Sequence, residues 1–288
     1  MSDSVSFVVI DGVAAPIGVI LDSPHSGMDW PADFRPDAPR EAILTTWDAF
    51  VDQLWAGAPP LGAALLAARF PRAYIDANRA ADDLDAALLD APWPSPLQAT
   101  DYSRRGMGLI RRHALPGQLM YHTGLPPAAV QARLDRYYHP YRTALGALID
   151  ARHAAFGRVV HLNCHSMKSR GNAMNVDNGA ERPDIVVSDR HGTTADPALT
   201  AWSAAWFQDH GLAARVNSPY QGGDLVRHFG APAAGRHSIQ IEINRALYMN
   251  EGTFEPSAGF DAVRATVTAF VAALGLRIAR SGQVGEAS

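Results

Sequence analysis

Apolar runs along this chain stop abruptly at polar clusters, and they do so several times. After Arg158, apolar and β-branched residues run to Leu162 and give way to Asn163, Cys164, His165 and Ser166. Such a run predicts a buried parallel strand, and in open α/β sheets ligands bind outside the carboxyl ends of the strands. The same pattern recurs at 17–22, which ends in Asp22-Ser-Pro-His-Ser-Gly27, and at Ala73-Tyr-Ile, which ends in Asp76-Ala-Asn-Arg79. A further strand is expected over 184–188, with a polar exit through Gly192. Residues 5–10 form another apolar run, and Asp11-Gly12 between it and 17–22 reads as a hairpin turn. Pro24 would fix the turn around His25, and Gly27 would let the backbone approach a ligand. Ser238, Gln240, Glu242 and Asn244 alternate with isoleucines, so they share one strand face, which must be wet, paired or functional.

Helical spacing appears over 40–57 through Ile43, Leu44, Trp47, Val51, Leu54 and Trp55. It places Asp48 and Asp52 four apart on one helix face. An Ala/Leu-rich helix is expected at 61–69, after Pro59-Pro60. A third covers 127–156 and should be kinked or interrupted by Pro140. Asp196-Pro197 begins a helix that runs to about His210 and is capped by Gly211, and a strand follows at 212–216. A closing helix spans 256–281, with a frayed tail from Arg280. Residues 80–125 are irregular, a length that points to a lid or binding wall. Two further loops, 167–183 and 217–223, are rich in Gly and Asn, with Tyr220 at the tip of the second. No repeat or linker interrupts the pattern, which reads as one α/β domain over 1–288.

The formal net charge of -4 argues against a general nucleic-acid binder. The basic run from Arg104-Arg105 to Arg111-Arg112-His113 then reads as solvated surface. Lys168 is the only Lys among 25 basic residues, and the remaining Arg suit bidentate carboxylate binding. A lone Cys, Cys164, leaves no internal disulfide and no thiolate zinc cluster. The first residues lack a basic region followed by an apolar core, and no apolar run approaches the roughly 20 residues that span a bilayer. The expectation is a cytoplasmic protein with no membrane partner.

The polar strand exits collect His25, Asp48 or Asp52, Arg79, His165 and Glu242. Two His and a carboxylate, with a fourth position open for water, are the catalytic zinc pattern. Glu242 would take the proton of that water if it faces the metal, and Arg79 would hold an anionic group of the substrate. No Gly-x-Ser-x-Gly elbow and no phosphate-cradling glycine motif occurs, which speaks against serine hydrolases and P-loop enzymes.

In order, Ser23-Pro-His-Ser-Gly27, Asp48-x-x-x-Asp52, Asp76-Ala-Asn-Arg79, Asn163-Cys-His-Ser166, Tyr220-x-Gly-Gly223 and Gln240-Ile-Glu-Ile-Asn-Arg-x-Leu-Tyr248 resemble the N-formylglutamate amidohydrolase family. That family is similar to the zinc carboxypeptidases. The resemblance covers roughly 15–250. It implies a mixed, largely parallel central sheet flanked by helices, of the zinc-carboxypeptidase and phosphorylase/hydrolase-like type, with one zinc per chain. It implies His25 and His165 as ligands and Glu242 as general base. Asn78 and Arg79 look like the Asn-Arg pair that binds a substrate carboxylate, with Tyr220, Gly222 and Gly223 as further substrate contacts. One position departs from the carboxypeptidase pattern: Met28 stands three residues after the first His, where the acidic ligand would be. Asp48 matches the first acid of the Asp-x-x-x-Asp pattern and is favoured as that ligand, with Asp52 as the alternative.

The implied activity is zinc-dependent hydrolysis of an N-formyl or other short N-acyl amino acid such as N-formylglutamate, a small-molecule substrate. The alternatives are a carboxypeptidase-like or N-acyl-amino-acid hydrolase of other preference, or an idle binding protein that holds an amino-acid derivative. A glutamate substrate has a second carboxylate and needs a second cation. Arg104, Arg105, Arg111, Arg112, Arg227, His228 and Arg236 are all candidates.

Overall fold

The computed structural model describes residues 5–283. Seven strands make the central sheet: β1 (Phe7–Ile10), β2 (Val19–Ser23), β3 (Ala64–Ala68), β4 (Val159–Met167), β5 (Ile185–Ser188), β6 (Ala214–Val216) and β7 (Arg236–Asn244). Their order across the sheet is β1-β3-β2-β4-β7-β5-β6. The pairs β2/β3, β2/β4, β4/β7 and β5/β6 are parallel. The pairs β1/β3 and β5/β7 are antiparallel. The sheet is therefore mixed and largely parallel, with helices on its faces, as the strand patterns and the resemblance implied.

The longest strands lie at the centre. All nine residues of β4 are buried, as a strand covered on both faces requires. Its odd and even positions diverge: Val160, Leu162 and Cys164 join the core on one face together with Ile239, Ile241 and Ile243 of β7. Helices Pro197–Asp209 and Phe260–Gln283 close that core with Leu199, Phe207, Val267, Phe270 and Leu274. On the opposite face the apolar cluster surrounds Ile20, Leu66, Tyr141 and Leu145, under helix His139–Phe156. On that same face, beside this cluster, runs a polar ladder. The register pairs Asp22 with Asn163, His161 with Ser238, Asn163 with Gln240, and His165 with Glu242.

Several local expectations are corrected. Residues 64–68 form strand β3, where a helix was expected. Ala and Leu favour helix only weakly, and a fully buried slot between β1 and β2 outweighs that preference. β3 also separates β1 from β2, so Asp11-Gly12 does not close a hairpin. Ala73-Tyr-Ile forms a turn and not a strand; Tyr74 N donates to Pro71 O. The helix expected over 40–57 breaks after Leu44 and resumes at Val51–Leu54. Phe50 sits at φ 63° in the break, and Asp48 N donates to His25 O, so Asp48 and Asp52 do not share a helix face. In 127–156 a π-helical turn at Leu134–Tyr138 precedes Pro140 and accommodates its missing N–H.

The closing helix begins at Phe260 and stays helical through Gln283; the rest of the expected frayed tail lies outside the described residues. Contrary to the expectation, its segment Phe260–Arg280 is long and apolar enough to cross a membrane. Its apolar stripe, Val263 to Ile278, is packed into the core.

Candidate active site

The polar ladder opens into a cleft. Its lining includes His25, Asp48, Asn78, Arg79, His165, Tyr220, Gly222, Gly223, Gln240 and Glu242, which are sequence candidates or their neighbours. Asp52 is not among the lining residues; it lies half-buried on Val51–Leu54.

His25 follows β2 by two residues, in a turn whose tightness depends on Gly27. A Cβ there would meet the Arg69 carbonyl carbon at 2.2 Å. The close approach that Gly27 permits is thus to the neighbouring backbone, not to a ligand. His165 stands on β4 itself, inside the strand and not beyond its end. Asp48 arrives from the break after Leu44, held by its backbone bond to His25 O.

His25 Nδ1 lies 3.3 Å and His165 Nδ1 3.0 Å from the same oxygen, Asp48 Oδ2. Ligand atoms of all three residues lie within 4.8 Å of one another, and the three side chains are buried. The outer ring nitrogens decide what this means. His25 Nε2 is 2.7 Å from Asp76 Oδ1, an acceptor that calls for a proton on Nε2. His165 Nε2 lies between Asn163 Oδ1 at 2.8 Å and Asn78 Nδ2 at 3.0 Å, and Asn163 Nδ2 donates to Asp22 Oδ1, which fixes that amide so that its oxygen faces the ring. Each ring thus presents its Nδ1 to Asp48 Oδ2, as a donor or, with a metal bound, as a lone pair, and two His with one carboxylate suit a metal such as zinc. The partners on the outer nitrogens are the kind that orient metal-bound histidines. The residues therefore fit a metal of this type.

Charges around the cluster are arranged to keep Asp48 ionised. Burial pushes its carboxyl up, but His165, His25 and Arg72 together outweigh burial and hold it well below 3.8. Asp48 Oδ1 also accepts from Arg245 at 2.9 Å, and Arg72 Nη1 stands 3.7 Å away. Asp76 behaves alike: burial is outweighed by Arg72 and His25. Glu242 differs. Burial is the largest influence and raises its carboxyl.

Glu242 neighbours His165 across the parallel β4/β7 pair and faces the cleft. Its Oε1 accepts from Gln240 Nε2 at 2.8 Å. Gln240 Oε1 in turn accepts from Gly223 N at 2.8 Å. Gly223 is packed so closely on Asn78 that a Cβ would meet the amide at 2.3 Å, which explains glycine at this point of the 217–223 loop. Asn78 Oδ1 accepts from Leu225 N, and its Nδ2 lies 3.3 Å from Asn163 Oδ1.

Arg79 lines the cleft with two donors already engaged, Nε on Met107 O and Nη1 on Asn78 O. Its guanidinium lies 4.1 Å over the Tyr102 ring, which fixes its plane. Tyr220 lies with its ring under Arg182.

Of the seven cations expected to compete for a second carboxylate, only Arg111 lines the cleft. Arg104 pairs with Asp101, Arg112 with Asp85, Arg227 with Asp224 and Arg236 with Asp150. Arg105 lies by Tyr102, and His228 lines a different surface groove. The solvated-surface reading of the 104–113 run is corrected at Arg111, which is buried. Sequence reasoning had missed Arg72, Lys168, Arg182, Arg245 and the supporting role of Asn163 and Asp22. The alternation His161-x-Asn163-x-His165, in step with Ser238-x-Gln240-x-Glu242, was the signal for Asn163.

Residues 17–249 match the family model for N-formylglutamate amidohydrolase. An N-formylglutamate deformylase of Pseudomonas aeruginosa is 28% identical over 239 residues, 82% of this chain and 83% of that protein. One of Pseudomonas putida is 27% identical over 237 residues, 81% of this chain and 82% of that protein. Among solved structures, N-formylglutamate amidohydrolase of Ralstonia eutropha JMP134 matches with a TM-score of 0.90 and 36% identity over 96% of this chain and 100% of that one. The gene product Atu2144 of Agrobacterium tumefaciens shares the fold, with a TM-score of 0.63 at 19% identity over 97% of each chain.

Proposed function

The chain belongs to the N-formylglutamate amidohydrolase family, and from that premise we propose that it hydrolyses the amide bond of N-formyl-L-glutamate, or of a similar short N-acyl amino acid, in a zinc-dependent reaction. The products are formate, or a short acid, and the free amino acid. The observation that carries this reading is the convergence of His25 Nδ1, Asp48 Oδ2 and His165 Nδ1 beside the cleft-facing Glu242.

One zinc per chain would be held by His25, Asp48 and His165, where it would polarise the acyl carbonyl and lower the pKa of water. The protein's own groups supply the rest. Glu242 accepts the proton of the attacking water and delivers it to the leaving nitrogen. Gln240 holds Oε1 of Glu242, which leaves Oε2 to take the proton. Arg79, in a plane set by Tyr102, holds the substrate carboxylate next to the scissile amide, with Asn78 beside it. Tyr220, Gly222 and Gly223 close the cleft on the β7 side. All these residues stand on the one sheet and its loops, in keeping with a single amidohydrolase domain.

The test is kcat/KM of zinc-loaded protein on N-formylglutamate, N-formylglutamine and N-formylleucine. The glutamate compound should lead by roughly tenfold or more, the scale of one charge-assisted hydrogen bond. Equal values would leave the hydrolase standing and defeat the glutamate assignment. No turnover of any of them would point to a binding protein.

A further inference from the structure

Two cations of the cleft, Arg111 and Lys168, lack a direct carboxylate partner among the described residues. Arg111 is 8% exposed, and its Nε is buried with no hydrogen-bond partner. Among the described residues its guanidinium has no ion pair either, unlike Arg72, Arg182 and Arg245, which are bound to Asp76, Asp177 and Asp48. Lys168, another lining residue, on the loop after β4, accepts from Arg182 through its carbonyl, but its ammonium has no hydrogen bond or ion pair among the described residues. Burial, followed by the charges of Arg245 and Arg111, brings its amine down to about 8. A buried guanidinium without a partner is costly, and with a second, partly buried cation beside it at the wall of a binding cleft it calls for an anion.

Their position relative to Arg79 suggests which anion. Arg111 feels the charges of Arg72, Asp76, Arg79 and Asp48, whereas Lys168 feels Arg245, Arg111, Glu251 and Arg182. Arg111 is thus the cation of this cleft whose charge bears on Lys168 and which itself feels Arg79. A substrate with carboxylates at both ends of a short carbon chain meets Arg79 with one and the Arg111–Lys168 side with the other.

We propose that Arg111, assisted by Lys168, receives the side-chain carboxylate of the substrate and so selects acidic N-acyl amino acids. This deepens the hydrolase reading and rests on it.

Two measurements test it. In Arg111→Met, the ratio of kcat/KM for N-formylglutamate over N-formylleucine should fall roughly tenfold or more, and Arg111→Lys should restore part of it. An equal fall for both substrates would overturn the proposal, because Arg111 would then act on a group common to both. The second measurement needs no turnover. Lys168 is the only lysine, so its acylation by an amine-reactive ester can be followed site-specifically by mass spectrometry on the full protein. L-Glutamate should slow acylation of wild type, L-leucine should not, and Arg111→Met should abolish the protection. Equal protection by both amino acids, or by neither, would overturn it. A protein that shows this protection yet cleaves no N-formyl amino acid would sink the hydrolase reading and leave the cation pair standing.

Discussion

Replacing Asp48 by Ala tests the centre of the site through stability as well as metal content. Its carboxylate lies 1% exposed between Arg245 at 2.9 Å, Arg72 at 3.7 Å and two imidazoles at 3.0 and 3.3 Å. Arg245 is itself 4% exposed, so truncating Asp48 leaves a buried guanidinium without its main acidic partner. Removing one member of a buried ion pair costs about 3–5 kcal/mol. For a chain of this size each kcal/mol lowers Tm by about 2–4 °C, so Asp48→Ala should unfold roughly 6–20 °C below wild type. Calorimetry on chelator-stripped proteins at neutral pH isolates this protein contribution from that of the metal. Elemental analysis of the zinc-loaded proteins completes the test, with about one zinc in wild type and none in the variant. Asp52→Ala is the control. Asp52 is half-buried and outside the cleft lining, so its Tm should shift by the amount of an ordinary surface change, about 0.5 kcal/mol, with zinc retained. If Asp48→Ala melts within 2 °C of wild type or keeps its zinc, or if Asp52→Ala is the variant that loses metal, the assignment of the acidic ligand is wrong.

Glu242→Gln keeps shape and the contact with Gln240 but cannot accept a proton; kcat should fall by roughly 10²–10⁴ with zinc still bound, and loss of zinc instead would make Glu242 a ligand. Asn163→Ala removes the acceptor on His165 Nε2, so zinc affinity measured by competition with a chelator should weaken by about 10–100-fold; unchanged affinity would show that Asn163 does not orient the ring. Arg182 makes two hydrogen bonds to Asp177, at 2.7 and 2.9 Å, and they are the largest influence holding that carboxyl below 3.8. A depressed folded pKa gives stability that is present above the unfolded value and lost as pH falls through the folded one. The Tm gap between wild type and Asp177→Asn should accordingly be constant above about pH 5 and shrink below about pH 4; a gap that widens on acidification would contradict the pairing.

The parts of this molecule that obey a simple period were readable from sequence. The isoleucines of β7 alternate with Gln240 and Glu242, and the apolar run before His165 is the central strand. Those two patterns alone place His165 beside Glu242 once the strands pair in parallel. β3 was not readable, because Ala64-Leu-Leu-Ala-Ala has no period and its conformation is set by burial between two neighbours. Asp48 was found through a motif while its setting was misjudged: the helical spacing of 40–57 conceals a break that depends on Phe50 at positive φ and on a backbone bond to His25. Arg111 lay in a stretch without regular structure, where exposure follows only from tertiary packing. Its basic neighbours, which are paired at the surface, made it look solvated. Asn163 and Asp22 were passed over because each acts through a neighbour, Asn163 on His165 two residues along the strand and Asp22 on Asn163 across the strand pair.

The central claim is that the His25–Asp48–His165 cluster, loaded with one metal, and Glu242 cleave a formyl amide. Proton NMR of N-formyl-L-glutamate incubated with the protein observes that bond directly. Zinc-loaded wild type should release formate and glutamate in equal amounts, with no release from chelated protein and restoration when zinc returns. Undiminished formate release by chelated protein or by Glu242→Gln, or intact N-formylglutamate after prolonged incubation with the fully loaded enzyme, would contradict it.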